Sequence, residues 1–187
     1  MSTGEAGTSA EQLFASARSG SVDAWGELYL LARPQLYAFA RLRLATQHQA
    51  DDAVSETFTR AIAAAERYRS GSGVVAWLVG ICRNVVRESY RAGGRSTSID
   101  PARFAADAGA SRDPEPGDQV MVDEQAAALR RAFGLLSDQD RELLSLRVVV
   151  GLGAEEVAEV VGKRAGAVRM AQSRALARLR AHLEEGT

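Results

Sequence analysis

The stretch Lys163–Arg180, KRAGAVRMAQSRALARLR, restricts what this chain can fold into more than any other. It carries six basic residues (Lys163, Arg164, Arg169, Arg174, Arg178 and Arg180) and no acid. At about 3.6 residues per turn, Val168, Ala171, Ala175 and Leu179 gather on one face, and Arg169, Met170, Ser173 and Arg174 lie to the other side. That is a helix with one face for a core and one for an anionic partner. Just before it, AEEVAEVVG forms a second short helical pattern ending in Gly162. Two short helices joined by a tight turn, the second one basic, read as a helix-turn-helix with the recognition helix last. Taken alone, the basic helix also fits a surface helix whose arginines are merely solvated.

The formal net charge of the 187-residue chain is −1, so any nucleic-acid binding must come from uneven charge. The charge is uneven. Ser96–Glu124 holds two arginines (Arg103, Arg112) against seven acids (Asp100, Asp107, Asp113, Glu115, Asp118, Asp123, Glu124), in contrast to the basic run from Lys163. The single cysteine, Cys82, sits in an apolar run and reads as a small buried hydrophobe; alone it forms no internal disulfide or zinc site. No apolar stretch reaches the roughly 18 residues that span a membrane. The N-terminus lacks the pattern of a secretory signal. These features predict a cytoplasmic protein with no membrane contact.

Residues 1–20 read as a disordered N-terminal tail: Met1–Ala10 is small, polar and rich in Gly, Ser and Thr. Within the tail, Glu11–Arg18 has the pattern of a short helix with Leu13, Phe14 and Ala17 on its apolar side. Ser21 is placed as an N-cap, followed by a helix that buries Trp25, Leu28, Tyr29 and Leu31. Pro34 marks a kink or the first position of the next helix, which continues through Leu36, Phe39, Ala40 and Leu44. Thr46–Gln49 reads as a turn. Asp51–Arg69 is the best-patterned helix of the first half, with Asp51 and Asp52 at its N-terminus and Val54, Phe58, Ala61, Ile62 and Ala65 as its core stripe. Ser70-Gly-Ser-Gly73 breaks it. Val74–Arg91 is helical again, with Trp77, Leu78, Ile81, Val85 and Val86 inward. Arg83, Arg87 and Arg91 repeat at i, i+4, i+8 as a basic stripe beside Tyr90, a pattern suited to nucleic acid or to plain solvation.

Residues 95–119 contain three of the four prolines and read as a flexible acidic linker. A second helical unit spans 120–184. In it Ser137 or Asp138 caps a helix with Leu143, Leu144, Leu146 and Val148 inward. The run Val148-Val-Val150, followed by Gly151 and Gly153, reads as a helix end and turn, with a short strand as the alternative. The chain is thus all-α: two small helical domains, 21–94 and 120–184, joined by the linker. His48 and His182 lie in separate regions without a partner pattern, and Gly71-Ser-Gly73 is no phosphate loop. Nothing in the sequence points to catalysis, a cofactor, a metal or a small-molecule substrate.

The two halves, in this order, resemble the extracytoplasmic-function (ECF) group of bacterial sigma factors. DDAVSETFTRAIAAAERYR is similar to the polymerase-binding helix of that family's region two, with Ser55-Glu56-Thr57-Phe58 where a QETF-like tetrad is usual. VVAWLVGICRNVVRESYR is similar to the promoter-melting helix that follows, with its WL and RN pairs at Trp77-Leu78 and Arg83-Asn84. LLSDQDRELLSLRVVVGLGAEEVAEVVGKRAGAVRMAQSRALARLR resembles region four, with a GxVR-type recognition helix at Gly166–Arg169. Ala171 takes a position that is often arginine.

The resemblance implies a non-catalytic specificity subunit that binds core RNA polymerase and promoter DNA, recognising and melting the promoter. It places core polymerase on Asp51, Asp52, Ser55, Glu56 and Thr59. It places the minus-ten element on Ser70, Ser72, Arg83, Asn84, Arg87 and Arg91, and the minus-thirty-five element on Lys163, Arg164, Arg169, Met170, Ser173 and Arg174. It also makes an anti-sigma factor a candidate partner. The residue patterns without the resemblance leave two other readings, a free-standing helix-turn-helix regulator and a helical scaffold.

Overall fold

The computed structural model describes residues 3–69, 71, 73–92 and 119–185, and among these there is no strand. The first unit is built from α1 (Thr3–Arg18), α2 (Val22–Arg41), α3 (Gln47–Ala64, extended by a 3₁₀ turn Ala65–Arg67) and α4 (Val74–Ala92). The second holds α5 (Gln119–Leu135), α6 (Asp138–Leu144, continued by a π-helical turn Ser145–Val149), α7 (Ala154–Val161) and α8 (Ala165–Glu185). The all-α, two-unit architecture agrees with the sequence reading. The linker 95–119 lies outside the described residues apart from Gln119, where α5 starts, and Ser70 and Ser72 lie outside them too.

The N-terminal tail is a correction. Thr3–Arg18 is one helix, and Ala10, Phe14 and Ala17 on it are buried. Composition pointed to disorder because the first ten residues offer little apolar area. The helix is stabilised instead from its far end, where Phe14 is 2 % exposed. Its ring meets Trp25, Tyr68 and Trp77 edge-on at centroid distances of 5.7, 4.8 and 5.2 Å. Such aromatic pairs add to the burial of their area.

Helix starts follow local chemistry. Ser21 Oγ accepts from Ala24 N at 3.2 Å, the predicted cap of α2. α2 runs unbroken through Pro34, where the missing N–H leaves the carbonyl of Leu30 on the exposed side of the helix without its i+4 donor. α3 begins four residues before the predicted acidic start. Thr46 Oγ1 accepts from Gln49 N and Gln49 Oε1 from Thr46 N, each at 3.1 Å. This T-x-x-Q capping box turns the expected turn into the first turn of α3. Ser137 caps α6, accepting from Asp140 N at 3.2 Å. The valine run forms neither a strand nor a regular helix end: Val150 N donates to Ser145 O at 3.0 Å, an i+5 bond, and Gly151 at φ 81° then turns the chain out.

The core of the first unit is Phe14, Leu28, Leu36, Phe39, Val54, Phe58, Leu78, Val79 and Val86, with Cys82 buried among them. Ile62, expected inside, is 53 % exposed: it sits one position off the stripe set by Phe58, Ala61 and Ala65. A smaller core in the second unit joins Phe133, Leu136, Leu144 and Ala175, with Leu179 against it. The remaining apolar side chains of the second unit (Leu143, Leu146, Val150, Leu152, Val157 and Val168) pack into one continuous cluster with the first unit. Here α7 lies against α4, and the π turn lies against α2. The two units therefore share a core, and what that contact covers bears on function.

Candidate nucleic-acid interface

Three surfaces carry the residues singled out by the sequence. The first is the outer side of α3. Ser55 and Thr59 are exposed on successive turns, and each hydroxyl donates back to the carbonyl four residues earlier, Asp51 O at 3.0 Å and Ser55 O at 3.1 Å. Asp51 accepts from Arg33 Nη2 at 2.9 Å, and that bond raises the guanidinium pKa. Asp52 is within 3.6 Å of His48. Glu56 takes Arg60 Nε at 2.7 Å, and Arg60 Nη2 reaches across to Glu88 on α4 at 2.8 Å. Arg60 holds the Glu88 carboxyl below its ordinary range. All five predicted residues thus share one polar, net acidic face. Because the pairs on it are solvated, they add little to stability and leave the face open to a partner.

The second surface is on α4. Asn84, Arg87 and Arg91 are exposed and line an open groove with Arg60, Ala64, Ile81 and Glu88. Arg83, predicted to share their stripe, points elsewhere. It forks onto Glu142 of α6, Nε to Oε1 at 2.8 Å and Nη2 to Oε2 at 3.2 Å. Both side chains are only 13 % exposed, and Arg43 approaches the same carboxylate at 3.8 Å. The spacing i, i+4, i+8 did set one stripe, but its first member is covered by the second unit.

The third surface is α7–turn–α8. Gly162 adopts φ 68°, ψ 38°. Its left-handed backbone lets Lys163 N donate to Ala158 O at 2.8 Å and Gly162 N to Glu159 O at 3.3 Å, which closes α7 and redirects the chain. Val168 (1 % exposed) and Ala175 (0 %) anchor α8. Lys163, Arg164, Arg169, Met170, Ser173 and Arg174 are all exposed, as a reading helix requires. Arg169 Nη1 donates to Glu155 Oε1 at 2.8 Å and lowers the Glu155 pKa. Arg178 Nη1 ties α8 to Asp140 Oδ2 of α6 at 2.7 Å. Lys163, Arg164 and Arg174 make no ion pair among the described residues.

Each of the two units matches a sequence family. The family model described as Sigma-70 region 2 matches residues 28–96, and the one described as Sigma-70, region 4 matches residues 126–179. The ECF RNA polymerase sigma factor SigD of Mycobacterium tuberculosis (strain ATCC 25618 / H37Rv) is 36% identical over 179 residues, covering 91% of this chain and 82% of SigD. This chain belongs to the ECF sigma factors. BldN of Streptomyces coelicolor, another ECF sigma factor, is 32% identical over 166 residues, covering 88% of this chain and 62% of BldN. Among solved structures, CnrH in complex with the cytosolic domain of CnrY aligns with a TM-score of 0.70 at 26% identity, covering 96% of this chain and 99% of CnrH. RpoE in complex with the anti-sigma factor NepR, from Bartonella quintana, aligns with a TM-score of 0.62 at 26% identity, covering 87% of this chain and 98% of RpoE.

Two functional candidates on this ECF sigma factor escaped the sequence reading. Glu142 draws Arg83 and Arg43 together between the units. Glu11 of α1 accepts from both ends of the α3–α4 connection. Each contact joins residues more than fifty positions apart, so no local spacing announces it.

Proposed function

We propose that this protein is a specificity subunit that binds core RNA polymerase and directs initiation by recognising and melting promoter DNA, with no catalytic step, cofactor or small-molecule substrate of its own. In this reading residues 21–94 act as region two and 120–184 as region four, with 95–119 spanning between them. The observation that carries the reading is the presence, in one sigma-family chain, of two separate exposed cationic faces and a third, acidic one. Core polymerase docks on Asp51, Asp52, Ser55, Glu56 and Thr59 of α3. Asn84, Arg87 and Arg91, with Ser70 and Ser72 of the preceding connection, hold the opened minus-ten strand. Extruding a base costs a few kcal/mol of stacking, and cationic contacts to the backbone offset that cost. α8 enters the minus-thirty-five major groove. There Arg169, Met170, Ser173 and Arg174 face base edges or adjacent phosphates, while Lys163 and Arg164 contact phosphate at the start of the helix.

Arg83 joins the minus-ten set only when its bond to Glu142 opens, so simultaneous use of both DNA elements goes with separation of the two units. That CnrH and RpoE were solved with CnrY and NepR supports an anti-sigma protein as a further partner. The setting implied is the cytoplasm, where polymerase works. Run-off transcription with purified core polymerase over a promoter library tests the proposal. Added chain should create new, sequence-defined start sites. Start-site choice that never changes on adding the chain refutes it.

A further inference from the structure

Glu11 occupies an unusual position. α1 precedes the stretch matched by the region 2 family model, yet its carboxylate reaches the connection between α3 and α4. A single oxygen, Oε1, accepts from Tyr68 Oη at 2.9 Å and from Val74 N at 2.8 Å. Tyr68 closes the segment after α3, and Val74 opens α4. The carboxylate therefore fixes where the chain leaves one helix and where it begins the next. It also lies at the N-terminus of α4, whose first turn contains no acid of its own. A negative charge there meets the positive end of the helix dipole and satisfies a backbone N–H that the helix cannot. Between the two anchors, Gly73 is at φ 91°, a backbone conformation open to glycine and resisted by residues with a side chain.

The surroundings hold Glu11 in place. One turn along α1, Phe14 packs against both Tyr68 and Trp77, and those two rings are themselves 5.1 Å apart. Arg18, a further turn along, approaches Glu66 at 3.7 Å. Burial, and then the bond to Glu11, push the Tyr68 phenol well above its ordinary pKa, so it stays a donor. α1 thus clamps the connection through a carboxylate, a ring stack and a surface ion pair on successive turns, and of the three only the carboxylate hydrogen-bonds to both Tyr68 and Val74.

We infer that Glu11 is a positioning residue for promoter opening: it holds Tyr68 and Val74, and with them the start of α4, in the geometry from which the Asn84 groove receives the unpaired minus-ten strand. The inference rests on the sigma-factor reading above and deepens it. It assigns to a helix outside the matched region a part in melting rather than in docking. Glu11 itself touches neither DNA nor polymerase.

The test compares the full-length wild type with Glu11→Ala, Glu11→Gln and Phe14→Leu, each assembled with core polymerase. Opening is read from a 2-aminopurine placed at the minus-ten element of a duplex promoter. Holoenzyme affinity and binding to a minus-thirty-five duplex are measured alongside. Loss of a shared charged acceptor should slow opening by about tenfold in Glu11→Ala. Holoenzyme and minus-thirty-five affinities should stay within about twofold of wild type, since neither face involves α1. Glu11→Gln keeps an acceptor oxygen at the same reach and should recover most of the opening rate. Phe14→Leu keeps the carboxylate and should lower the melting temperature while opening normally. Amide exchange gives a readout independent of transcription, in which Val74 should exchange about tenfold faster in Glu11→Ala while mid-α4 amides do not change.

Wild-type opening matched by Glu11→Ala overturns this inference alone. So does a Glu11→Ala variant whose opening, assembly and duplex binding fall together with its melting temperature, which marks a merely structural role. A wild-type chain that opens no promoter with core polymerase overturns the sigma-factor reading and this inference with it.

Discussion

Glu142→Ala is the substitution that most directly separates the two units. Arg83 forks onto this carboxylate with two bonds, and both side chains are 13 % exposed, so neither is an ordinary surface partner. A fully buried pair costs about 3–5 kcal/mol when one partner is removed, and a solvated pair costs about 0–1 kcal/mol. With a little solvent access and a shift of Arg83 toward water, about 2 kcal/mol is a fair value here. That loss falls on the closed arrangement alone, because in an open chain both groups are hydrated. The closed-to-open ratio then drops by roughly thirtyfold, and an open population of about 1 % rises to about a quarter. The apolar contacts of Leu143, Leu146, Val150, Leu152 and Val157 with the first unit remain, so opening is partial. A dye pair on exposed Ala63 and Ala177, both converted to Cys, reads it by energy transfer; Cys82 is buried and stays unlabelled. Transfer should fall, and transcription at limiting core polymerase should rise, because Arg83 is released to the proposed minus-ten face. A folded Glu142→Ala protein with wild-type transfer refutes the argument that this pair holds the units together.

Three other outcomes follow from the geometry. Arg174→Ala removes an exposed α8 cation with no ion pair among the described residues. It should weaken promoter-specific transcription by about 1–3 kcal/mol with little change in melting temperature; an equal loss on every promoter would make Arg174 a phosphate contact. Phe14→Ala empties a site that is 2 % exposed between three rings and should destabilise the first unit by about 3–5 kcal/mol in denaturant unfolding. Burial pushes the Cys82 thiol up from 9.0 to about 11, so iodoacetamide should modify it far more slowly in the folded chain than in denaturant. The unfolded thiol ionises while the folded one stays protonated. Stability from this group is therefore intact below pH 9.0 and lost as pH climbs toward 11.

How much of this was legible in the sequence depended on how far along the chain the deciding contact lay. Side-chain periodicity placed Val168 and Ala175 inside and Arg169, Met170, Ser173 and Arg174 outside, because a helix sorts its faces within a few residues. Ser21 and Ser137 were legible as caps for the same reason. Thr46 and Gln49 carried an equally local signal, a T-x-x-Q box, which the acidic pair at Asp51 and Asp52 overshadowed. The errors of another kind came from tertiary contact. Polar composition suggested that residues 1–20 lack the area to fold, and within α1 alone that holds. Phe14 finds its partners on α2, on α4 and in the segment after α3, and they order the helix. Periodicity likewise assigned Arg83 to the stripe of Arg87 and Arg91, but it says nothing about what lies opposite a face.

Glu11 and Glu142 share a physical character that explains both why pattern reading passed over them and why they bear on function. Each is an acid on a helix whose other residues explain its formation, and each acts on a segment more than fifty residues away. An acid so placed gains little for its own helix. Its desolvation is offset only by the distant donors it meets: Tyr68 and Val74 for Glu11, Arg83 and Arg43 for Glu142. Those donors cluster around α4, at its N-terminal end and along its basic stripe. Of the two carboxylates, Glu11 orders the start of α4 within the first unit, whereas Glu142 covers part of its basic stripe from the second. Opening the two units releases Arg83 and leaves the Glu11 bonds intact, since they do not cross between the units. The expected phenotypes are therefore opposite in sign: loss of Glu142 raises engagement of the minus-ten face, and loss of Glu11 lowers it. In the double variant the two effects should add within about 0.5 kcal/mol, because the carboxylates share no partner. Strong non-additivity would mean that the start of α4 and the contact between the units form one coupled element.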